Sequence, residues 1–220
     1  YQWKFNVPKT QEYIKVAVQY IESVPAKERL YIRAQSVQDK LSRLHIYEEL
    51  IQKYPNEKLA YFEYGDILYH SGSSMESIPY FEKSHTLDPN FEHTLSHLSW
   101  TYTDAGLHEK NIELAQNTLK IDPASPTYNQ KVLSALLNAG RFKDYFARVR
   151  KLNKSEIENY HFNFRMGDGH FKSGDYVKAI EFYKNGIEQD EGRISGLNNL
   201  ISVSIIQGDL NNYKKYTNEK

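Results

Sequence analysis

The chain has 220 residues with 28 Lys and Arg, 28 Asp and Glu, eight His and no Cys, so its formal net charge is zero. A neutral balance argues against a strongly basic surface for nucleic acid or anionic membrane. The absence of cysteine excludes disulfides, thiolate metal sites and a cysteine nucleophile. No apolar run approaches the roughly 20 residues needed to span a bilayer, so we expect no membrane insertion.

Residues 1–23 precede the regular part of the chain and form a predicted N-terminal segment. From Pro8 to Glu22 the apolar residues follow helical spacing, which predicts an amphipathic helix. We interpret it as a cap over the helices that follow, with a binding role as the alternative. Because the chain begins at Tyr1 rather than Met, we expect it to be a fragment of a longer protein. The compartment stays open, with the cytoplasm favoured over a bacterial periplasm.

From residue 24 onwards the sequence repeats every 34 residues. Each period reads as two helices, with a glycine that closes the first in the left-handed conformation and a proline that ends the second. Five glycines keep this spacing, namely Gly72, Gly106, Gly140, Gly174 and Gly208. Three prolines share it, namely Pro55, Pro89 and Pro123. The predicted repeats are 24–57, 58–91, 92–125, 126–159, 160–193 and 194–220.

These positions resemble the tetratricopeptide repeat (TPR) family, whose 34-residue unit has large, Leu-Gly, Tyr, small, aromatic and Pro positions in a set order. The second repeat supplies Tyr61, Tyr64, Gly65, Leu68, Ser77, Phe81 and Pro89. The first repeat lacks the turn glycine, the fourth departs most, and the sixth fades after Tyr213. The resemblance implies an all-α, right-handed α-solenoid of five to six stacked helix-turn-helix repeats over residues 24–220.

The resemblance also implies a concave groove, lined by the first helix of each repeat, that holds an extended peptide or a partner helix. Aromatic side chains on such a wall supply contact area at low entropic cost. Three of the groove positions given below, Asp66, Asp104 and Asp168, are aspartates, which predicts a ligand with basic or apolar side chains. Transfer of the family's groove positions gives as candidate ligand-binding residues Phe62, Asp66, Tyr69, His70, Trp100, Asp104, Asn138, Phe164, Asp168 and Phe171. Most tyrosines outside this set are interpreted as packing residues between helices.

No motif in the sequence carries a recognisable chemistry. No carboxylate pair, nucleophile elbow or phosphate loop appears at catalytic spacing, so we expect no enzyme activity and no cofactor. His93 and His97 lie four residues apart on one predicted helix, a spacing that can hold a metal. Two ligands make a weak site, however, and we interpret both histidines as satisfied or solvated side chains. We therefore expect no metal site.

The sequence thus favours a protein–protein interaction scaffold that binds a peptide or a partner helix in the TPR groove. Binding of nucleic acid is not expected, given the neutral charge. One alternative is a non-catalytic regulatory or substrate-recruiting TPR region of a multidomain enzyme or bacterial signalling protein. Self-association is also open, because the last repeat could stack on a neighbouring copy.

Overall fold

A computed structural model describes residues 7–153, 161–189 and 192–220. Within these ranges the chain forms thirteen α-helices, one short 3-10 helix at Ile21–Ser23 and no strand, so the predicted all-α fold class is confirmed. The helices are α1 Val7–Gln19, α2 Ala26–Ser36, α3 Lys40–Lys53, α4 Lys58–His70, α5 Ser74–Leu87, α6 Glu92–Asp104, α7 His108–Ile121, α8 Pro126–Asn138, α9 Phe142–Asn153, α10 Phe162–Lys172, α11 Tyr176–Glu188, α12 Arg193–Gln207 and α13 Leu210–Glu219. None of the helices in these ranges has both the length and the apolar character that crossing a bilayer requires.

The helices belong to two compact units, Tyr1–Leu107 and His108–Lys220. The N-terminal unit contains α1 to α6, and the C-terminal unit contains α7 to α13. The boundary between them lies in the turn after α6, inside the segment 92–125 that the sequence assigns to one repeat. Within each unit, consecutive helices pack on one another, most extensively α4 on α5 and α10 on α11. Each unit therefore stacks antiparallel helix pairs in the manner of an α-solenoid.

The turn glycines adopt the conformation that the repeat predicts. Gly72 has a φ of +84°, in the left-handed region where a Cβ is unfavourable. Its amide donates to the Tyr69 carbonyl at 3.1 Å, and the Ser73 amide donates to the Leu68 carbonyl at 3.0 Å. These bonds satisfy the last carbonyls of α4 and turn the chain into α5.

A second kind of glycine sets how closely the two helices of a repeat approach. A Cβ on Gly65 of α4 would lie 3.0 Å from the Phe81 ring of α5. A Cβ on Gly167 of α10 would lie only 2.4 Å from the Tyr183 ring of α11. In both repeats the aromatic ring occupies the space that any larger residue would need, so the glycine permits close helix contact.

Several tyrosines are packing residues, as the repeat predicts. Tyr47 is fully buried in the N-terminal unit, and Tyr145 and Tyr183 are buried in the C-terminal unit. The predicted N-terminal helix is present as α1 and contacts α2. Tyr13 and Tyr20, which belong to α1 and the turn after it, are exposed. The capping role of α1 stays a prediction.

Candidate functional site

A hollow of about 940 Å³ lies in the N-terminal unit. Most of its wall comes from the first helices of three successive predicted repeats, α2, α4 and α6, with further residues from α1 and the start of α3. Three residues predicted to bind a ligand, Asp66, His70 and Trp100, line this hollow. Its volume is within the range of roughly 300–1,000 Å³ that small ligands or side chains of a partner occupy. We refer to it below as the hollow.

Asp66, His70 and His97 meet at the wall of the hollow. Asp66 and His70 are four residues apart on α4 and so share one face of that helix, whereas His97 comes from α6. Asp66 Oδ1 lies 3.0 Å from His97 Nε2 and 3.3 Å from His70 Nε2. One ligand atom from each of the three residues lies within 4.8 Å of the other two, which is close enough to hold one metal ion. We refer to these three residues as the Asp-His-His cluster.

The protonation of His97 follows from its other ring nitrogen. His97 Nδ1 lies 2.9 Å from the backbone carbonyl oxygen of His93. Because a carbonyl oxygen can only accept a hydrogen bond, Nδ1 carries a proton and donates it. In the neutral imidazole, Nε2 therefore has a lone pair, and this atom is the one beside Asp66.

The cluster runs from the interior to the surface. The His97 side chain is 8% exposed, that of Asp66 19% and that of His70 63%. Asp66 Oδ1 is itself buried and accepts no hydrogen bond of normal geometry from any residue in the described part of the chain. A buried carboxylate oxygen without a donor is costly, so its surroundings call for a cation or a proton.

Glu63 lies one helical turn before Asp66 on α4 and is buried. Burial and, to a smaller extent, the negative charge of Asp66 raise the pKa of its carboxyl to about 7, while the Arg43 cation acts in the opposite direction. The Tyr47 hydroxyl donates to Glu63 Oε2 at 3.3 Å. Glu63 therefore places a second carboxyl group next to Asp66 on α4, outside the lining of the hollow.

Two predicted groove residues are packing residues instead. Phe62 is completely buried, and its ring packs against Phe91 at 5.4 Å and His97 at 5.1 Å between ring centroids. The prediction that Phe62 presents its ring to a ligand is wrong because the next repeat's first helix, with the turn before it, covers this position. Phe164 is 7% exposed in the core of the C-terminal unit, where Gly196 of α12 leaves room for its ring, and the same correction applies to it.

The remaining predicted residues of the N-terminal unit share one surface. The Trp100 side chain is 51% exposed, and its ring lies 4.9 Å from that of His97. The Tyr69 hydroxyl donates to Asp104 Oδ2 at 3.1 Å, which joins α4 to α6. Burial and the neighbouring Asp104 carboxylate raise the pKa of Tyr69. Trp100 thus presents a large aromatic surface beside the hollow.

In the C-terminal unit, Asp168 occupies the repeat position that Asp66 holds in the N-terminal unit. The Tyr183 hydroxyl donates to Asp168 Oδ1 at 3.1 Å, and burial raises the pKa of this carboxyl. Phe171 is half-buried with its ring 5.8 Å from that of Tyr176, and Asn138 is exposed at the end of α8. A ligand role for these residues stays a prediction.

Sequence reasoning missed part of the site. The repeat positions of Asp66 and His70 predicted that both residues line the groove. His97 was considered only together with His93, which lies on the same helix. The four-residue spacing of Asp66 and His70 in the sequence indicates that they share one helical face. Nothing in the sequence indicates that His97 approaches them from another helix. Among the described residues, no other group of three His, Asp or Glu side chains comes together closely enough to hold a metal.

Solved structures of TPR proteins share this fold. A TPR protein from Parabacteroides merdae ATCC 43184 matches with a TM-score of 0.62 at 11% identity, covering 96% of this chain and 78% of that chain. The 41-end segment of MamA from Desulfovibrio magneticus RS-1 matches with a TM-score of 0.56 at 15% identity, covering 74% of this chain and 95% of that chain. PilW, a widely conserved type IV pilus biogenesis factor, matches with a TM-score of 0.54 at 14% identity, covering 94% and 91%.

The comparisons of sequence alone found no match, either to a family model or to a curated protein. At identities of 11–15%, the structural likeness shows the fold and not the function. The fold of this chain is that of TPR proteins, which confirms the resemblance in the 34-residue pattern.

Proposed function

We propose that this chain is a non-catalytic protein-interaction scaffold that binds an extended peptide or a partner helix along the first helices of its repeats. The observation that carries this proposal is the hollow, which three first helices line and which Trp100 borders with half of its surface exposed. An exposed Trp beside a pocket is the kind of residue that contributes most to binding at protein interfaces.

The charges around the hollow indicate the chemistry of the partner. Asp66 and Glu92 line it against one arginine, Arg43, and Asp104 lies one helical turn after Trp100 on α6. A cationic side chain could lie over the Trp100 ring and face these carboxylates at the same time. We infer that the partner presents a segment with basic and apolar side chains.

The test begins with peptides selected from a displayed random library on the purified chain, with a chelator present to remove metal ions. Binding of the selected peptides is then measured by fluorescence anisotropy. Trp100→Ala should weaken Kd by about 30-fold or more, which is the effect of losing an interface hot spot.

The matched control is Met75→Ala, which removes an exposed apolar side chain of α5 away from the hollow. This variant should bind the peptides as the unaltered chain does. Equal binding by Trp100→Ala and Met75→Ala would place the ligand elsewhere, and selection of acidic peptides would contradict the inferred partner chemistry.

A further inference from the structure

We propose that Asp66, His70 and His97 bind a divalent first-row transition-metal ion such as Zn²⁺ at the wall of the hollow. Two imidazoles and one carboxylate form a donor set that suits Zn²⁺, Co²⁺, Ni²⁺ and Cu²⁺. The proposal does not rest on peptide binding, because it is argued from the geometry of these three side chains alone.

The distances in the Asp-His-His cluster fit a metal site. Bonds of about 2.0–2.2 Å in a tetrahedral zinc site place neighbouring ligand atoms roughly 3.3–3.6 Å apart, so small side-chain shifts would bring these three residues around an ion. The observed separations from Asp66 Oδ1 are 3.0 Å to His97 Nε2 and 3.3 Å to His70 Nε2. His70 is exposed enough to adjust its rotamer toward an ion, while the buried His97 provides a fixed ligand on the other side.

The hydrogen bond of His97 orients it as metal-binding histidines are usually oriented. Its Nδ1–H donates to the His93 carbonyl oxygen at 2.9 Å, so the Nε2 lone pair of the neutral ring faces Asp66 Oδ1. Two lone pairs at 3.0 Å repel each other unless a positive charge lies between them. A metal ion supplies that charge, and a carbonyl partner on the second ring nitrogen is the expected support for a ligating histidine.

A comparison within the chain shows that Asp66 lacks the internal partner of its counterpart. Three 34-residue periods further on, Asp168 accepts a hydrogen bond from the Tyr183 hydroxyl. The residue at the position of Tyr183 in the N-terminal unit is Phe81, which has no hydroxyl to donate. Asp66 Oδ1 therefore stays without a hydrogen-bond donor from the described residues, and two histidine nitrogens lie beside it instead.

The two histidines of the Asp-His-His cluster also have no histidine counterparts in the C-terminal unit. The residues three periods after His70 and His97 are Lys172 and Asn199, so the C-terminal unit has a cation and an amide where the N-terminal unit has two imidazoles. Three protein ligands leave at least one coordination position open to the hollow, as in zinc sites that keep a bound water.

The experiment uses the whole chain without an affinity tag. Calorimetry with Zn²⁺ should show one ion bound per chain, and Co²⁺ should give the visible absorption of a low-coordinate site. In a Trp3→Phe background, Trp100 is the remaining tryptophan. Because its ring lies 4.9 Å from that of His97, Cu²⁺ should quench its fluorescence.

Substitution of the ligands decides which residues hold the ion. Asp66→Asn and His70→Ala should each weaken Zn²⁺ binding by at least about tenfold, since loss even of a residue that supports a ligand has that effect. Both positions reach the surface, so the variants should stay folded, and a circular dichroism melt checks this. Zn²⁺ should raise the melting temperature of the unaltered chain and not that of His70→Ala.

Two matched controls sharpen the result. His45→Ala removes an exposed histidine that lies 3.6 Å from a single carboxylate, Glu48, and it should leave Zn²⁺ binding unchanged. His93→Ala removes a histidine of the same hollow that is outside the Asp-His-His cluster, while its backbone carbonyl still supports His97. It should therefore also leave binding nearly unchanged.

Three outcomes would overturn the proposal. The first is the absence of one-to-one Zn²⁺ binding to the unaltered chain. The second is equal affinity of His70→Ala, Asp66→Asn and His45→Ala. The third is loss of binding in His93→Ala but not in His70→Ala, which would assign the ion to His93 and His97. None of these outcomes affects the peptide measurement, because that measurement is made with a chelator present.

Discussion

The two compact units use the same repeat positions for different purposes. In each, an aspartate follows the glycine at which the two helices of a repeat approach closely, Asp66 after Gly65 and Asp168 after Gly167. In the C-terminal unit the facing aromatic residue is Tyr183, whose hydroxyl binds the carboxylate. In the N-terminal unit it is Phe81. The difference of one phenolic oxygen decides whether the aspartate is satisfied inside its own repeat or interacts with groups beside the hollow.

The charges next to these aspartates differ as well. The residue one turn before Asp66 is Glu63, whereas Arg165 precedes Asp168 at the same position. The negative charge of Asp66 raises the pKa of Glu63, and the positive charge of Arg165 lowers that of Asp168 against a larger effect of burial. The N-terminal unit therefore holds two neighbouring carboxyl groups where the C-terminal unit holds an ion of each sign.

The largest effect that we expect concerns this carboxyl pair. The pKa of Glu63 is about 7 in the folded chain against 4.5 in a free side chain, because burial and Asp66 disfavour its charged form. As the pH rises from about 4.5, the unfolded chain loses this proton first, so stability falls until about pH 7 and then levels off. The total loss is roughly 3 kcal/mol.

Urea unfolding between pH 4 and pH 8, with a chelator present, measures this slope. Glu63→Gln should make it flatter, because its amide does not titrate and can still accept the hydrogen bond from Tyr47. The control Glu48→Gln changes an exposed carboxylate and should keep the slope. A pH profile that is the same for Glu63→Gln and the unaltered chain would show that Glu63 does not titrate in this range.

The second effect compares the two close-approach glycines. Gly167→Ala should lower the free energy of unfolding by about 2–3 kcal/mol, as overpacking does, because its Cβ would lie 2.4 Å from a ring that its hydrogen bond to Asp168 holds in place. Gly65→Ala should cost about 1 kcal/mol or less. The Phe81 ring is 3.0 Å away, and the better helix propensity of Ala offsets part of the strain. Equal losses in urea unfolding would contradict this difference.

A third substitution gives the C-terminal unit the phenylalanine that the N-terminal unit has at the corresponding position, Phe81. Tyr183→Phe leaves the buried Asp168 without its donor and should cost about 1–3 kcal/mol of unfolding free energy, measured in urea at pH 7. The cost should shrink at low pH, where Asp168 is protonated. Tyr176→Phe, which changes a partly buried tyrosine of the same helix, is the control. A loss as large in the control would mean that the hydroxyl of Tyr183 is not specific to Asp168.

The smallest effect comes from the reverse change in the N-terminal unit. Phe81→Tyr offers Asp66 the hydroxyl that Asp168 has, and we expect it to weaken Zn²⁺ binding by about three- to tenfold, the effect of one added hydrogen bond to the ligand. Calorimetry at pH 7 measures the change, and Tyr80→Phe on the same helix is the control. Unchanged affinity in Phe81→Tyr would show that an internal donor does not compete with the ion.

Sequence reasoning failed at particular positions for a common reason. Phe62 and Phe164 occupy groove positions of the family, yet elements of the following repeat cover both rings. His93 and His97 share a helical face, yet the side chains that meet His97 Nε2 are those of Asp66 and His70 on another helix. Spacing along one helix indicates which side chains share a face, and it carries no information about the residue that approaches from a neighbouring helix.

The 34-residue period, the helix pairs and the left-handed glycine turns could be predicted from the sequence, and the match of these positions to the TPR pattern implied the fold. The period, the helix pairs and the turns depend on interactions within a few residues along the chain, so spacing suffices to predict them. That Asp66, His70 and His97 meet and that Phe62 and Phe164 are buried became visible only in the folded chain. Such contacts depend on how separate helices pack, and single atoms affect them: the missing Cβ of Gly65 leaves room for the Phe81 ring, and the Tyr183 hydroxyl, which Phe81 lacks, binds Asp168.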